Sequence, residues 1–343
     1  MAVVAPTIPK WRPDLYKLLG GPRAALWFSV AVLFVTWFDS LELTEDYVFT
    51  PYLKHILFVS LVYSIVTLSL NFVSGYIGQT SLGHAAFFGL GGYTSALLTQ
   101  VYHMPFWPSF LAAGFVAAAI GIPLGAPALR VRGPFLVVVT YGCGEVFKFV
   151  ALNLDITGGP AGLPGLISPS LGVNFARIGP TGKEAFIVAA LVMALLLAFL
   201  MSRIEDSRIG HAFAAIREDE IAAATMGVNL AYYKLLAFVL GAFFAGLAGS
   251  LFVHYLSFVS PDMLSSNESI MMLTMVVVGG ARSIPGSFLG AFLLTFTPEG
   301  LRYFKDFLGL SYDPWLVLFG LLLIIMMRVR PQGILGADTV FRR

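Results

Sequence analysis

Two charges interrupt an otherwise apolar stretch. Glu145 and Lys148 stand within GPFLVVVTYGCGEVFKFVALNLD (133–155). A charge held in an apolar segment is costly, so it is a functional hypothesis by default. Three positions apart, the two share one helical face and can pair. Two readings stay open: the pair handles protons or a solute, or it neutralises itself against another helix while Lys148 reaches outward along its stem. A second group lies in NFVSGYIGQTSLGHAAFFGLGGYTSALL (71–98), where Gln79, Ser81, His84 and Tyr93 are set among six glycines. With Thr140 they offer hydroxyl, amide and imidazole groups without fixed charge. A third group is the acidic run Glu218–Asp219–Glu220 within RIEDSRIGHAFAAIREDEIAAATMGVNL (203–230).

Other chemistries lack their signatures. There is no G-x-x-x-x-G-K-[ST] phosphate loop, and Gly179-Pro-Thr-Gly-Lys-Glu184 has the wrong spacing. Any ATP hydrolysis is therefore expected from another chain, with no cofactor held by this one. The five histidines form no H-E-x-x-H metal pair. No G-x-S-x-G elbow occurs, and the single cysteine, Cys143, has no histidine near it in sequence. A net charge of +2 suggests no nucleic-acid surface.

The elements that position these groups follow from composition. The chain has 343 residues, 58% hydrophobic and 12% charged. A soluble domain carries roughly 25% charged residues. So much apolar surface has lipid as its natural solvent. Apolar runs at 24–38, 56–73, 84–101, 106–129, 134–152, 185–202, 235–256, 270–280, 284–298 and 314–327 predict an all-α integral membrane protein of about ten spans. Several runs are shorter than the roughly 17–25 residues a helical span needs. They must borrow flanking residues, tilt or stop partway. The run 24–38 is expected to be a true first span rather than a cleaved signal, since it lacks an A-x-A-like site and an acidic loop follows.

Ten spans with the N-terminus inside satisfy the positive-inside rule. Of the 21 basic residues, five (Lys54, Arg177, Lys183, Arg302, Lys305) then fall outside, Lys148 falls within a span, and the remaining fifteen fall inside. The chain divides into a cytoplasmic segment 1–23, a membrane unit 24–330 and a cytoplasmic tail 331–343. Spans 2–5 and 7–10 would begin on opposite sides, which permits an inverted repeat.

Four segments depart from ordinary lipid-facing helix. Residues 74–83 read as a break inside the membrane, with a new helix beginning near Ser81, because Gly and polar residues interrupt the apolar run. A tight structural turn is the alternative. The stretch carrying Glu145 and Lys148 is the second. The external loop 156–183 is too rich in Gly and Pro for a long helix; it caps a pore, meets a partner, or is a folded surface loop. The cytoplasmic loop 203–230 has a helical, mixed-charge pattern that Gly227 can stop. It is either a solvated face or a short helix suited to a groove on a cytoplasmic partner. Small-xxx-small spacings at Gly121/Gly125 and Gly286/Gly290 point to close helix packing.

The strings GYIGQTSLGHAAFFGLGGYTSALL (75–98), LRVRGPFLVVVTYGCGEVFKF (129–149), TGGPAGL (157–163), SRIGHAFAAIREDEIAAATMGVNLAYYKLLAFVLGAFFAGLAGSL (207–251), HYLSFVSPD (254–262), MVVVGGARSIPGSFLGA (275–291) and RPQGILG (330–336) together resemble the branched-chain amino acid permeases of ABC importers, closest to their M-type subunit. The resemblance covers roughly 70–336. It implies the fold of the large, many-span importer permeases in a bacterial inner membrane. It implies a second, similar permease chain, two cytoplasmic ATPase subunits that use ATP, and a periplasmic binding protein that delivers solute. It further implies that Ala215, Ile216, Arg217, Glu218, Asp219, Glu220, Ile221 and Gly227 belong to the helix that meets the ATPase. GQTSLGHAAF then looks like the pathway-lining broken segment, with Gln79, Ser81, His84, Tyr93, Thr140 and Glu145 facing solute. The family also includes permeases for urea, short amides and small aromatic or other carboxylates. Rival readings from the residues alone are an ion-coupled transporter or channel using Glu145 and Lys148, and an intramembrane enzyme using His84 and Glu145.

Overall fold

In the computed structural model the described residues are 51–128, 134–166, 184–308 and 332–336, with isolated helical positions at 320, 321, 324 and 328. The expected first span at 24–38, most of the run 314–327, the outer loop from 167 to 183, the N-terminal segment 1–23 and most of the C-terminal tail lie outside them. Ten helices are described: α1 Pro51–Asn71, α2 His84–Gln100, α3 Phe106–Ala128, α4 Pro134–Asn153, α5 Glu184–Glu205, α6 Arg208–Glu218, α7 Glu220–Thr225, α8 Leu230–Leu256, α9 Ser266–Gly279 and α10 Ile284–Leu308.

Five of the described helical stretches are long and apolar enough to cross a membrane: Tyr52–Ile77, Phe106–Gly125, Phe135–Asn153, Ala185–Glu205 and Leu230–Leu256. Ser266–Gly279 and Ile284–Pro298 are shorter apolar stretches. With 14 residues, α9 rises only about 21 Å, less than a hydrocarbon core of about 30 Å. The expected short run at 270–280 is thus a helix that spans only about two thirds of such a core. It is entered through an extended segment and a single turn at Pro261–Leu264.

The bundle is built around α1, which packs against α5, α8, α9 and α10. Along it Ser60, Ser64, Thr67 and Ser69 are fully buried. Their hydroxyls donate to the carbonyls of Leu57, Ser60, Tyr63 and Val66 at 2.6–2.8 Å, so no donor is stranded in the apolar interior. On the periphery the pattern inverts. Phe135, Val138, Val146 and Phe149 on α4, Leu111 and Phe115 on α3, and Leu196 and Phe199 on α5 are exposed. In water such patches are a liability. Against lipid tails they are the ordinary outer surface.

Glycines set how closely the helices approach. A Cβ on Gly91 of α2 would lie 2.3 Å from the Cα of Gly246 on α8, and one on Gly249 would lie 1.9 Å from the carbonyl oxygen of Phe88. Both expected small-residue spacings find partners. Gly121 and Gly125 of α3 meet Ala242 and Leu235 on α8. Gly286 and Gly290 of α10 meet Gly279 and Met275 on α9, with a Cβ on Gly290 falling 2.1 Å from the Met275 oxygen. Each helical Gly costs up to about 1 kcal/mol relative to Ala; backbone contact across the interface offsets it.

The described part of the loop after α4 has no long helix, in line with its Gly and Pro content. It consists of single turns at Asp155–Thr157 and Gly159–Ala161, then the two-residue strand β1, Leu163–Pro164. β1 pairs antiparallel with β2, Phe258–Val259, in the register Leu163 opposite Val259. This pairing ties the loop to the segment that leads into α9.

Candidate functional site: a broken helix pair and the loop helices that touch it

The end of α1 unwinds in stages. Its last turn widens over Phe72–Ile77. Gly78 then adopts φ +79°, a left-handed conformation that favours glycine, and its N–H returns to the Val73 carbonyl. Gln79 to Gly83 are not helical, and α2 begins at His84 rather than near Ser81. Just before this start, Leu82 N–H donates to Thr140 Oγ1 at 3.0 Å, and a Cβ on Gly83 would sit 2.6 Å from the Thr140 carbonyl oxygen. The break therefore lies backbone to backbone against α4.

A second helix begins inside the bundle beside the first. Ser265 caps α9 by accepting from Glu268 N–H at 3.4 Å. Ser269 Oγ accepts from Ala85 N–H at 3.0 Å, so the first turns of α2 and α9 are joined. Ser266 Oγ donates to Glu145 Oε1, near the midpoint of α4. Thr140 and Glu145 thus face the starts of α2 and α9 respectively. Unpaired N–H groups give helix starts a partial positive charge, which suits anionic groups.

The expected pairing of Glu145 with Lys148 is not what forms. Both turn toward the start of α9 and the turn that precedes it, but to different partners. Glu145 takes Ser266, while Lys148 lies 3.9 Å from Asp262, whose side chain is 90% exposed. That contact is long and solvent-facing, so it adds little.

The remaining expected pathway residues separate. Ser81 is buried, its hydroxyl accepting from Gly83 N–H at 3.4 Å. His84 is buried with its ring turned to α1, Nε2 lying 2.8 Å from Ser69 Oγ and Phe87 edge-on. Its imidazole is a packing group between α1 and α8. Tyr93 is 4% exposed, and its hydroxyl has no hydrogen-bond partner among the described residues. A buried tyrosine hydroxyl ordinarily finds one. Gln79 is drawn away from the others, toward the loop helices.

Those loop helices are two, not one. Ser207 caps α6, accepting from Ile209 and Gly210 N–H at 3.2 and 3.4 Å. Asp219 is extended, ends α6 and caps α7 by accepting from Ile221 and Ala222 N–H at 2.8 and 3.1 Å. Gly227, at φ +86°, follows the end of α7. Of the acidic run, Asp219 is therefore a cap. Glu220 turns inward to Lys234 of α8 at 2.7 Å and accepts from Gln79 Nε2 at 3.4 Å. Arg217 also turns inward, donating to the Gly75 carbonyl at 2.6 Å. Partial withdrawal from water, and after it the nearby Arg282 guanidinium, lower the Arg217 pKa from its ordinary value. Ile216 is buried, Ala215 is partly buried and Glu218 is exposed. The large apolar side chains offered outward are Ile221, 64% exposed, and Met226, 84% exposed, beside the exposed Arg217, Glu218 and Asp219. An open cleft of about 540 Å³ lies beside α6, lined by Asp206, Arg208, His211, Ala215 and Tyr233 among others.

The family described as the permease component of branched-chain amino acid transport systems matches residues 52–327. The high-affinity branched-chain amino acid transport permease protein LivM of Escherichia coli K12 is 37% identical over 297 residues, covering 81% of this chain and 68% of that protein. LivH of Salmonella typhimurium is 28% identical over 294 residues, with coverages of 81% and 92%. BraD of Pseudomonas aeruginosa is 28% identical over 312 residues, with coverages of 86% and 98%. The chain belongs to this permease family.

It is a multi-pass membrane permease, and its long apolar helices fit that class. Sequence reasoning missed several residues that hold the permease's break in place. Ser266 and Ser269 stand at the start of a helix whose shortness was legible, and a Ser-rich entry to a short apolar run was the available signal. Lys234 is one of the fifteen basic residues expected on the inside, and its burial, at 2% exposed, is not visible from that count. Its position in the first turns of a 27-residue apolar helix was the clue.

Proposed function

We propose that this chain is the transmembrane permease subunit of an ATP-binding-cassette importer for branched-chain or related hydrophobic amino acids. It works in a bacterial inner membrane, with about ten spans, both termini cytoplasmic and an inverted repeat over spans 2–5 and 7–10. The membrane unit is 24–330, flanked by cytoplasmic segments 1–23 and 331–343, with the loop 203–230 inside and 156–183 outside. A second, homologous permease chain completes the pathway. Two ATPase subunits drive it, this chain holding no cofactor, and a periplasmic binding protein feeds it.

The observation that carries the reading is the outward face of α7. Ile221 and Met226 are large apolar side chains held in the open at the tip of a polar loop. A partner that covers them gains roughly 1.5–3 kcal/mol for each side chain it buries fully. That partner is the ATPase. When two ATPase subunits close on ATP, the docked loops move with them and shift the bundle between outward-open and inward-open states. Solute passes the break, where Ser81, Tyr93, Thr140 and Glu145 line the route.

The test is gentle extraction of tagged chain from native membranes, followed by reconstitution. A second multi-span chain and two P-loop ATPases should co-purify, and vesicles should take up leucine only with ATP and the binding protein. Competition by urea, short amides and small carboxylates in the same vesicles distinguishes the cargo classes of the family. Uptake by the chain alone on an ion gradient would overturn the reading.

A further inference from the structure

A buried lysine holds the docking helix against the break. Lys234 lies in the first turns of α8, the helix anchored to α1, α2 and α3 by glycine contacts. It is 2% exposed, and its ammonium is paired with Glu220, the first residue of α7, at 2.7 Å. The same Glu220 oxygen accepts from Gln79 Nε2 at 3.4 Å, in the non-helical stretch before α2. One carboxylate oxygen therefore joins three elements: the outward-facing loop helix, the long anchored helix and the break. Beside it Arg217 of α6 holds the Gly75 carbonyl at 2.6 Å, and its stem fills the space at Gly78.

Lys234 is buried, while the Glu220 side chain keeps 23% of its surface exposed. An ion pair drawn this far out of water is a poor device for stability alone, since apolar residues of similar volume often do as well or better. It is well suited to fixing a register. We propose that Lys234 is a positioning residue of the transport cycle. Through Glu220 it locks α7 to the start of α8 and to Gln79, so that a pull on the docking face moves the break and the long helix as one body. The claim rests on the proposed importer function and adds the route by which ATP-driven motion reaches the pathway. It assigns Gln79 to that route rather than to solute contact.

The route can be cut at two points and rebuilt. Lys234→Met removes the charge with little change in volume. Gln79→Leu leaves the ion pair intact and breaks only the link to the break. Lys234→Glu with Glu220→Lys exchanges the charges. In the exchange, Gln79 can still serve, because its Oε1 is buried without a hydrogen-bond partner among the described residues and can accept from the new lysine. Each variant is assembled with its partner chains in vesicles, and solute taken up per ATP hydrolysed is measured.

Lys234→Met and Gln79→Leu should each lower that ratio at least fivefold while ATP hydrolysis continues. The charge exchange should recover at least half of it. If Lys234→Met fails to assemble, Gln79→Leu alone decides. A normal ratio in Gln79→Leu, or an exchange variant that assembles but stays as uncoupled as Lys234→Met, overturns the proposal. Absence of ATP-dependent uptake by the unaltered assembly would instead overturn the importer reading beneath it.

Discussion

Arg217 donates to the carbonyl oxygen of Gly75 at 2.6 Å across 142 positions of sequence. The carbonyl belongs to the widened last turn of α1, where the regular ladder gives way. The guanidinium supplies a donor from the loop helix, so the break and the docking helices share a hydrogen bond that neither provides alone.

Loss of that donor should be measurable. Arg217→Ala removes the bond and the stem packed at Gly78. Leaving a polar group unsatisfied costs about 1–3 kcal/mol. Thermal unfolding of the purified assembly in detergent should shift down, and Gly78→Ala should act in the same direction, because φ +79° disfavours a side chain and its Cβ would stand 3.0 Å from the Arg217 Cγ. Unchanged unfolding in both variants would mean the bond is not formed in the assembled protein.

Two large apolar side chains stand out on the docking face, so charge placed there should weaken docking. Ile221→Asp combined with Met226→Asp should leave the yield of folded permease unchanged, since neither side chain is buried. Co-purification of the ATPase should fall at least tenfold. Glu218→Ala, at an exposed position outside the inward network, should matter much less. Retained ATPase in the double variant would remove α7 from the interface.

Glu145 should matter to transport more than to folding. Glu145→Gln keeps an acceptor for Ser266 and removes the charge. Uptake should fall about tenfold, equivalent to about 1.4 kcal/mol, with ATP hydrolysis retained. Wild-type uptake would exclude the carboxylate from the pathway. Lys148→Met should have a small effect, because its partner Asp262 faces solvent.

Helix packing should discriminate sharply between glycines. Gly249→Ala places a methyl 1.9 Å from the Phe88 oxygen, a distance that forces α2 and α8 apart. Membrane yield of folded protein should collapse. Gly142→Ala meets nothing within 4 Å and adds helix propensity worth up to about 1 kcal/mol. Its yield should match or exceed wild type. Equal yields from the two variants would contradict the α2–α8 contact.

Much of this was legible in local chemistry. Long apolar runs must be helices in lipid, because no other open segment satisfies its own backbone. Expected runs at 106–129, 134–152 and 185–202 therefore match α3, α4 and α5 within a few residues. The interruption before α2 and the stop at Gly227 follow from the short-range preferences of Gly, and the small-residue spacings mark close packing without naming the partner helix. What sequence could not decide is which way a polar side chain turns. Glu145 and Lys148 share a helix face, yet Ser266 and Asp262, more than a hundred residues on, take them separately. Arg217 and Glu220 sit in a run that looks solvated, yet Arg217, still exposed, and Glu220, partly buried, bond inward to Gly75 and Lys234, because α1, α8 and the break converge there. His84 looks like a lining residue, but Ser69 claims its ring. Sequence by itself determined the helices, the breaks and the caps, each governed by residues within about a turn of one another. Only the tertiary structure decided the partners of the charges, because those depend on helices far apart in the chain arriving side by side.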